Sequence, residues 1–301
     1  MVASPLANPQ ATRDVLERHG LAAKHHLGQN FLVNDAVIAH ILELAELDEK
    51  DAVLEVGPGI GTLTVALAAG AGAVVAVEAD RSLAPVLAET CADVTDRIAL
   101  VLGDALKVGA WQLDEALSSL EAPGVQGCLT SFVSNLPYQV AATVLLRFLQ
   151  EEPTIDRAVV MVQREVADRI AAVPGTKAYG AYTAKLALQA EVTGRFEVGP
   201  GNFMPPPHVD SSVVRLDRRV PTDPDTAEPL SPARCEAVAA VIDAAFAQRR
   251  KTIRNSMSAS GLSREELDVA FAAAGIDPRC RAETLDVGSF VRLESALGRS
   301  D

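Results

Sequence analysis

Cysteine is sparse. Cys91, Cys128, Cys235 and Cys280 lie far apart, and no two form a C-x-x-C pair. That spacing excludes a zinc ribbon and a disulfide framework, and leaves reduced thiols in a cytosolic protein. His25 and His26 are adjacent, but no third ligand stands in helical register with them, so they read as an exposed loop rather than a metal site. Long apolar runs are missing, which excludes a membrane-spanning helix. The first twenty residues lack an apolar leader core and carry acids, so secretory or organellar targeting is not expected and a flexible tail is. Internal repeats are absent. Cations are in short supply: 27 Lys and Arg face 40 Asp and Glu, a formal net charge of −13. Nucleic-acid binding depends on local patches, so such a partner requires a basic cluster somewhere in this acidic chain.

What the chain does have is apolar mass. Of 301 residues, 49% are hydrophobic, enough for a sizeable core in one large domain or in a large domain with a smaller companion. The runs "AVLEV", "AVVAVE", "IALVL", "CLTSFVS" and "RAVVMV" are apolar almost throughout, as expected of parallel strands covered on both faces. Between them, "TLTVALAAGA", "RSLAPVLAETCA" and "QVAATVLLRFLQEE" read as helices. "NDAVIAHILELAEL" reads as an earlier helix, capped by Asn34 or Asp35. The alternation predicts an α/β fold with a doubly wound sheet.

Downstream, "GAYTAKLALQAEV" looks helical, and "RFEVG" and "SSVVRL" look like an antiparallel hairpin at the sheet edge. The Pro- and Asp-rich stretch at 217–232 has no periodicity and reads as a linker. Three helical segments follow, so 233–301 is expected to form a small all-helical domain. The expected division is therefore a tail over 1–20, the main domain over 21–216, the linker, and the helical domain.

The first strand runs into "GPGIGTLT", residues 57–64. Gly57, Gly59 and Gly61, after a strand and before a helix, let the backbone approach a ligand closely. This is not the dinucleotide fingerprint, because its third glycine falls on Thr62, which disfavours a dehydrogenase. Glu78 ends the second strand, where a carboxylate can accept hydrogen bonds from ribose hydroxyls. Asp104 ends the third, where an acid can accept from an exocyclic adenine amine. "SNLPY" ends the fourth strand and faces the same crevice, at the carboxyl ends of the strands where open α/β sheets bind ligands.

In this order, these residues resemble the S-adenosylmethionine-dependent ribosomal RNA adenine dimethyltransferase family. The resemblance runs from "LGQNFLVN" through "LEVGPGIGTLT", "VEAD", "GDAL", "SNLPY", "GTKAYGAYT" and "NFMPPPHVDSSVVRL" to "QRRKTIRNS". The last stretches favour the branch acting on small-subunit rRNA over the erythromycin-resistance methylases. One departure stands out: His26-Leu27 occupies positions where a basic residue and Phe are common. The resemblance implies a Rossmann-like methyltransferase sheet with a small C-terminal all-helical domain. It implies a cytoplasmic enzyme that dimethylates the N6 amines of two adjacent adenosines in the 3'-terminal hairpin loop of 16S rRNA, during small-subunit biogenesis. The expected partner is that rRNA, within a pre-30S particle, bound by a monomer without metal or membrane.

By the same resemblance, Asn30, Leu32, Gly57, Gly59, Glu78, Asp104 and Asn135 contact S-adenosyl-L-methionine. The adenine amine would donate to the Asn135 side-chain oxygen and to the carbonyl of Leu136 or Pro137. Tyr138 would stack on the extruded base, with Phe203 on its opposite face. "QRRKTIRNS" carries the densest positive cluster, Arg249, Arg250, Lys251 and Arg254, and is the expected RNA-phosphate contact. Two other readings stay open: large-subunit (23S) rRNA methylation of the erythromycin-resistance type, and a non-catalytic RNA-binding assembly or transcription factor on the same fold.

Overall fold

The computed structural model describes residues 3–24, 28–122, 124–259 and 261–298; the His25-His26 pair and Leu27 lie outside them. The chain divides into two compact units, Met1–Ala167 with Val192–Asp217, and Asp168–Glu191 with Arg218–Asp301. The last of these crossings falls after Asp217, one residue beyond the expected end of the main domain at 216. The expected continuity of 21–216 does not hold, because residues 168–191 belong to the second unit.

The first unit opens with α1 (Pro9–Arg18), β1 (Phe31–Leu32) and α2 (Asp35–Ala45). It continues through β2 (Ala52–Val56), α3 (Thr62–Gly70), β3 (Ala73–Glu78), α4 (Ala84–Thr90), β4 (Ile98–Leu102) and α5 (Ala110–Ser118). Next come β5 (Ser131–Asn135), α6 (Ala141–Glu151), β6 (Arg157–Gln163) and α7 (Arg164–Ile170). After α8 (Ala181–Leu186), the chain forms β7 (Ala190–Val198), β8 (Phe203–Met204) and β9 (Ser211–Arg218).

The large sheet has the order β4-β3-β2-β5-β6-β9-β7. β2 to β6 pair in parallel, and β9 runs antiparallel to β6. Every residue of β2 and β3 is buried, which is why these segments read as runs apolar almost throughout. Successive strands move outward from β2 in one direction and, from β5 onward, in the other. The reversal leaves a crevice at the carboxyl ends of β2 and β5. β7 forms the sheet edge beside β9, while β8 between them in sequence pairs with β1 instead. The helix expected over "GAYTAKLALQAEV" is shorter, because its last residues already belong to β7.

Residues 3–20, the described part of the expected tail, are not a flexible tail. Asn8 caps α1 by accepting the Ala11 N–H at 2.8 Å, and Pro9 stands in its first turn, where no donor is missed. Val15 and Leu16 are buried with Phe31, Ile60, Leu83 and Val86, and Arg18 and His19 both reach Glu89. Few apolar residues mark this helix in sequence, since it buries only a narrow stripe. Residues 217–232 are likewise more than a linker. Thr222 bridges to Pro229, and the Asp223 carboxylate accepts from Arg234, which also holds Glu294.

The second unit packs Tyr179, Leu188, Val238, Ile242, Ile253, Leu267, Phe271 and Phe290 into its own core. These come from residues 168–191 and from α9 (Pro232–Phe246), α10 (Ile253–Met257), α11 (Arg264–Ala273) and α12 (Val287–Gly298). Among the described residues, no helix is long and apolar enough to cross a membrane.

Candidate active site

The glycine loop leaves β2 in left-handed conformations, with φ of +74° at Gly57 and +62° at Gly59. A Cβ at Gly57 would stand 3.2 Å from the Pro137 ring, and one at Gly59 would stand 3.2 Å from the Phe31 ring. Both glycines therefore let neighbouring segments close on the loop, as well as keeping its backbone bare. Glu78, only 6% exposed, accepts the Gly59 N–H at 3.3 Å on one oxygen and the Asp80 N–H at 2.7 Å on the other. Burial raises its carboxyl above the ordinary value, and these two N–H groups hold the rise back. Asp104, exposed beyond β4, uses Oδ1 to accept the Leu106 N–H at 2.9 Å, and its Oδ2 lies 3.7 Å from the Lys107 ammonium.

At the end of β5, the Asn135 Nδ2 donates to the Asn30 carbonyl at 3.4 Å. That bond orients the amide and leaves Oδ1 with no donor among the described residues. The Leu136 N–H donates to the Met161 carbonyl at 3.1 Å, continuing the ladder. The Pro137 carbonyl accepts the Val140 N–H at 3.1 Å and closes the turn into α6. Of the two carbonyls considered from sequence, Leu136 O is thus the one without a donor among the described residues. The Tyr138 hydroxyl shares a 2.5 Å hydrogen bond with Ser211 Oγ, which fixes the half-buried ring.

These groups converge on one crevice of about 360 Å³. Asn30, Leu32, Gly57, Gly59, Glu78, Asp104, Asn135, Leu136, Pro137 and Tyr138 all line it. Phe203 does not. It is 3% exposed, pairs with Leu32 in the β1–β8 ladder, and packs with Leu32, Val133 and Val213 in the core. An aromatic ring that close-packed cannot also present a face to a base, so the expected second stacking surface is corrected to a core residue.

Sequence reasoning passed over Glu55 and Gln29, which also line the crevice. Glu55 is 1% exposed within β2, and its Oε2 has no hydrogen-bond partner among the described residues. Burial pushes its carboxyl up to about 8; the Thr64 hydroxyl tempers the rise without completing a hydrogen bond, and the Glu78 charge adds to it. The signal was a lone acid inside an apolar strand.

Residues 20–298 match the ribosomal RNA adenine dimethylase family. The chain belongs to that family. It is therefore a methyltransferase with the family's Rossmann-like sheet. The chain is 40% identical over 292 residues to the ribosomal RNA small subunit methyltransferase A of Thermobifida fusca, covering 96% of this chain and 95% of that one. The crystal structure of the 23S rRNA methyltransferase ErmE superposes with a TM-score of 0.62 at 28% identity, over 89% of this chain and 100% of that one. The fold is also that of a dimethyladenosine transferase from Plasmodium falciparum, with a TM-score of 0.69 at 22% identity, covering 87% and 95% of the two chains.

In this dimethylase, the basic cluster sits in the second unit, with Arg249, Arg250 and Lys251 between α9 and α10 and Arg254 in the first turn of α10. Two of its four cations are engaged at home. Arg249 donates to the Lys177 and Tyr179 carbonyls and lies 3.4 Å from Glu283. Arg254 Nε stands 2.7 Å from Asp268 Oδ1, an ion pair whose angle falls short of a hydrogen bond. Arg250 and Lys251 are exposed and carry no ion pair among the described residues.

Proposed function

We propose that this chain dimethylates N6 of two adjacent adenosines in the 3'-terminal hairpin loop of small-subunit rRNA, using S-adenosylmethionine, in the cytoplasm during subunit assembly. One observation carries the reading: Asn135 Oδ1 and Leu136 O, acceptors on adjacent crevice-lining residues at a strand end, are both left without donors among the described residues. An exocyclic amine has two N–H groups to give. Donating both favours a pyramidal nitrogen, whose lone pair is otherwise delocalised into the ring and poorly nucleophilic. A fixed pair of acceptors also orients the amine, and proximity with preset electrostatics supplies much of the rate. The Tyr138 ring, held by Ser211, offers a face for the unstacked base.

The crevice fits the methyl donor. Its volume is in the range of small-molecule sites. Glu78 would take the ribose hydroxyls, Asp104 an exocyclic amine, and the bare loop at Gly57 and Gly59 the remaining chain, with Asn30 and Leu32 as a wall. When bound, S-adenosylmethionine supplies an electrophilic methyl on a sulfonium. Glu78→Ala is expected to weaken its binding by about 1–3 kcal/mol, read by calorimetry. Unchanged affinity would remove Glu78 from the site.

The small-subunit reading is favoured over the large-subunit one by the 40% identity to a small subunit methyltransferase, against 28% to ErmE. The complete set of crevice residues also favours it over a non-catalytic factor. Mass spectrometry of rRNA from a strain lacking the chain tests it: dimethyladenosine is expected to vanish from the small subunit. Loss from the large subunit instead would overturn the assignment.

For RNA docking, Arg250 and Lys251 are the cations of the cluster that carry no ion pair among the described residues. Neutralising both is expected to weaken RNA binding without changing cofactor affinity, and to flatten log affinity against log salt by about 0.7 per lost contact on single-stranded RNA. A double variant with the parent's slope would show that the RNA docks elsewhere.

A further inference from the structure

The wall formed by Gly28, Gln29 and Asn30 is held from outside the crevice by a single carboxylate. Asp80, 7% exposed in the turn after β3, takes one hydrogen bond from Gln29 of this wall on one oxygen and one from Lys24, ahead of the wall, on the other. Lys24 Nζ donates to Oδ1 at 2.8 Å and also to Ser82 Oγ at 2.8 Å. Gln29 Nε2 donates to Oδ2 at 2.9 Å. Lys24 and Gln29 are also tied directly, since the Lys24 N–H donates to Gln29 Oε1 at 2.8 Å. Asp80 has a second tie. Its backbone N–H is the 2.7 Å donor to Glu78 Oε1.

We infer that Asp80 is a positioning residue for the methyl donor, latching the Gly28–Asn30 wall to the strand end that carries Glu78. The inference rests on the cofactor reading given above. The other tie described for this stretch of wall is weaker: the Asn135 bond to the Asn30 carbonyl is 3.4 Å long. Burial alone would raise the Asp80 carboxyl, but the donors from Lys24, Ser82 and Gln29 outweigh it and hold the group at about 2. The latch is therefore charged at every working pH. It acts through cofactor binding, since Asp80 is not among the residues lining the crevice.

Asp80→Asn tests this in the full-length chain. Whichever way the new amide turns, its NH₂ faces a donor, either the Lys24 ammonium or the Gln29 amide. We expect S-adenosylmethionine affinity by calorimetry to fall about ten- to hundred-fold, the scale of a lost charged hydrogen bond. Single-turnover methyl transfer at saturating cofactor should keep the parent rate. Amide hydrogen exchange should quicken at 28–30 while β2 and β3 keep their protection. Lys24→Met, at a side chain 35% exposed, should reproduce the effect if Asp80→Asn does not fold, and Lys24→Arg should restore affinity. Parental affinity in Asp80→Asn and Lys24→Met overturns the latch. So does weakened affinity without faster exchange at 28–30, or loss of protection across the whole sheet. If the parent chain itself binds no S-adenosylmethionine, the cofactor reading falls, and the exchange data alone still show whether Asp80 holds the wall.

Discussion

Asn135→Ala is expected to lower single-turnover methyl transfer at saturating cofactor by about 10²–10³-fold, the cost of removing one preset acceptor or donor from a reacting centre. The loss falls on the chemical step because Oδ1 has no other role among the described residues. The fold should survive. The amide's protein contact is one long bond to the Asn30 carbonyl, 3.4 Å, and a neutral hydrogen bond contributes about 1 kcal/mol at most here. Tyr138 separates two properties of one side chain. Tyr138→Phe gives up the Ser211 bond and keeps the ring, so activity should stay near the parent's; Tyr138→Ala gives up stacking worth about 1–3 kcal/mol per base. Parental single-turnover rates in Asn135→Ala and Tyr138→Ala would sink the mechanism, whatever their stability.

Stability is expected to fall as pH rises from about 4.5 towards 8, with Glu55 as the chief cause. The native state holds the Glu55 proton up to about 8, whereas the unfolded chain releases it near the ordinary 4.5. Below 4.5 both states are protonated, and the native state bears no penalty. Between the two values only the unfolded state is ionised, so each pH unit costs the native state about 1.4 kcal/mol at most. Above about 8 both are ionised and the loss levels off. Glu78, also raised by burial, acts in the same direction. The lowered carboxyl of Asp80 acts oppositely, but only between about 2 and 3.8, outside this window. Urea midpoints between pH 5 and 9 should decline for the parent and stay flatter for Glu55→Gln, with the two converging at the acid end. Parallel curves would show that Glu55 does not carry the slope.

Legibility followed burial. β2 and β3 were plain in sequence because strands covered on both faces are apolar almost throughout, with Glu55 and Glu78 the acids within them. α1 was hidden, because a helix that seats only a narrow stripe, Val15 and Leu16 foremost, looks like polar surface until its partners Phe31, Ile60, Leu83 and Val86 are in place. Phe203 misled for a related reason: a motif aromatic is the same letter in a crevice wall and in a core ladder. The basic cluster was visible as charge. Its division into engaged Arg249 and Arg254, and Arg250 and Lys251 without an ion pair among the described residues, was not, since carbonyls and acids distant in the chain decide it.

By itself, the order of residues determined the alternation of strands and helices, the glycine loop, and the acids and amide placed at successive strand ends. Each of these is local: periodicity, turn chemistry and spacing act within a few residues. Tertiary structure alone decided that Leu136 rather than Pro137 leaves its carbonyl without a donor, and that Asp80 binds a segment more than fifty residues earlier. It also decided that residues 168–191 join the helical unit, and that Glu55 keeps its proton near neutrality. Hydrogen-bond satisfaction and desolvation depend on what the fold brings alongside, and no window of sequence contains those neighbours.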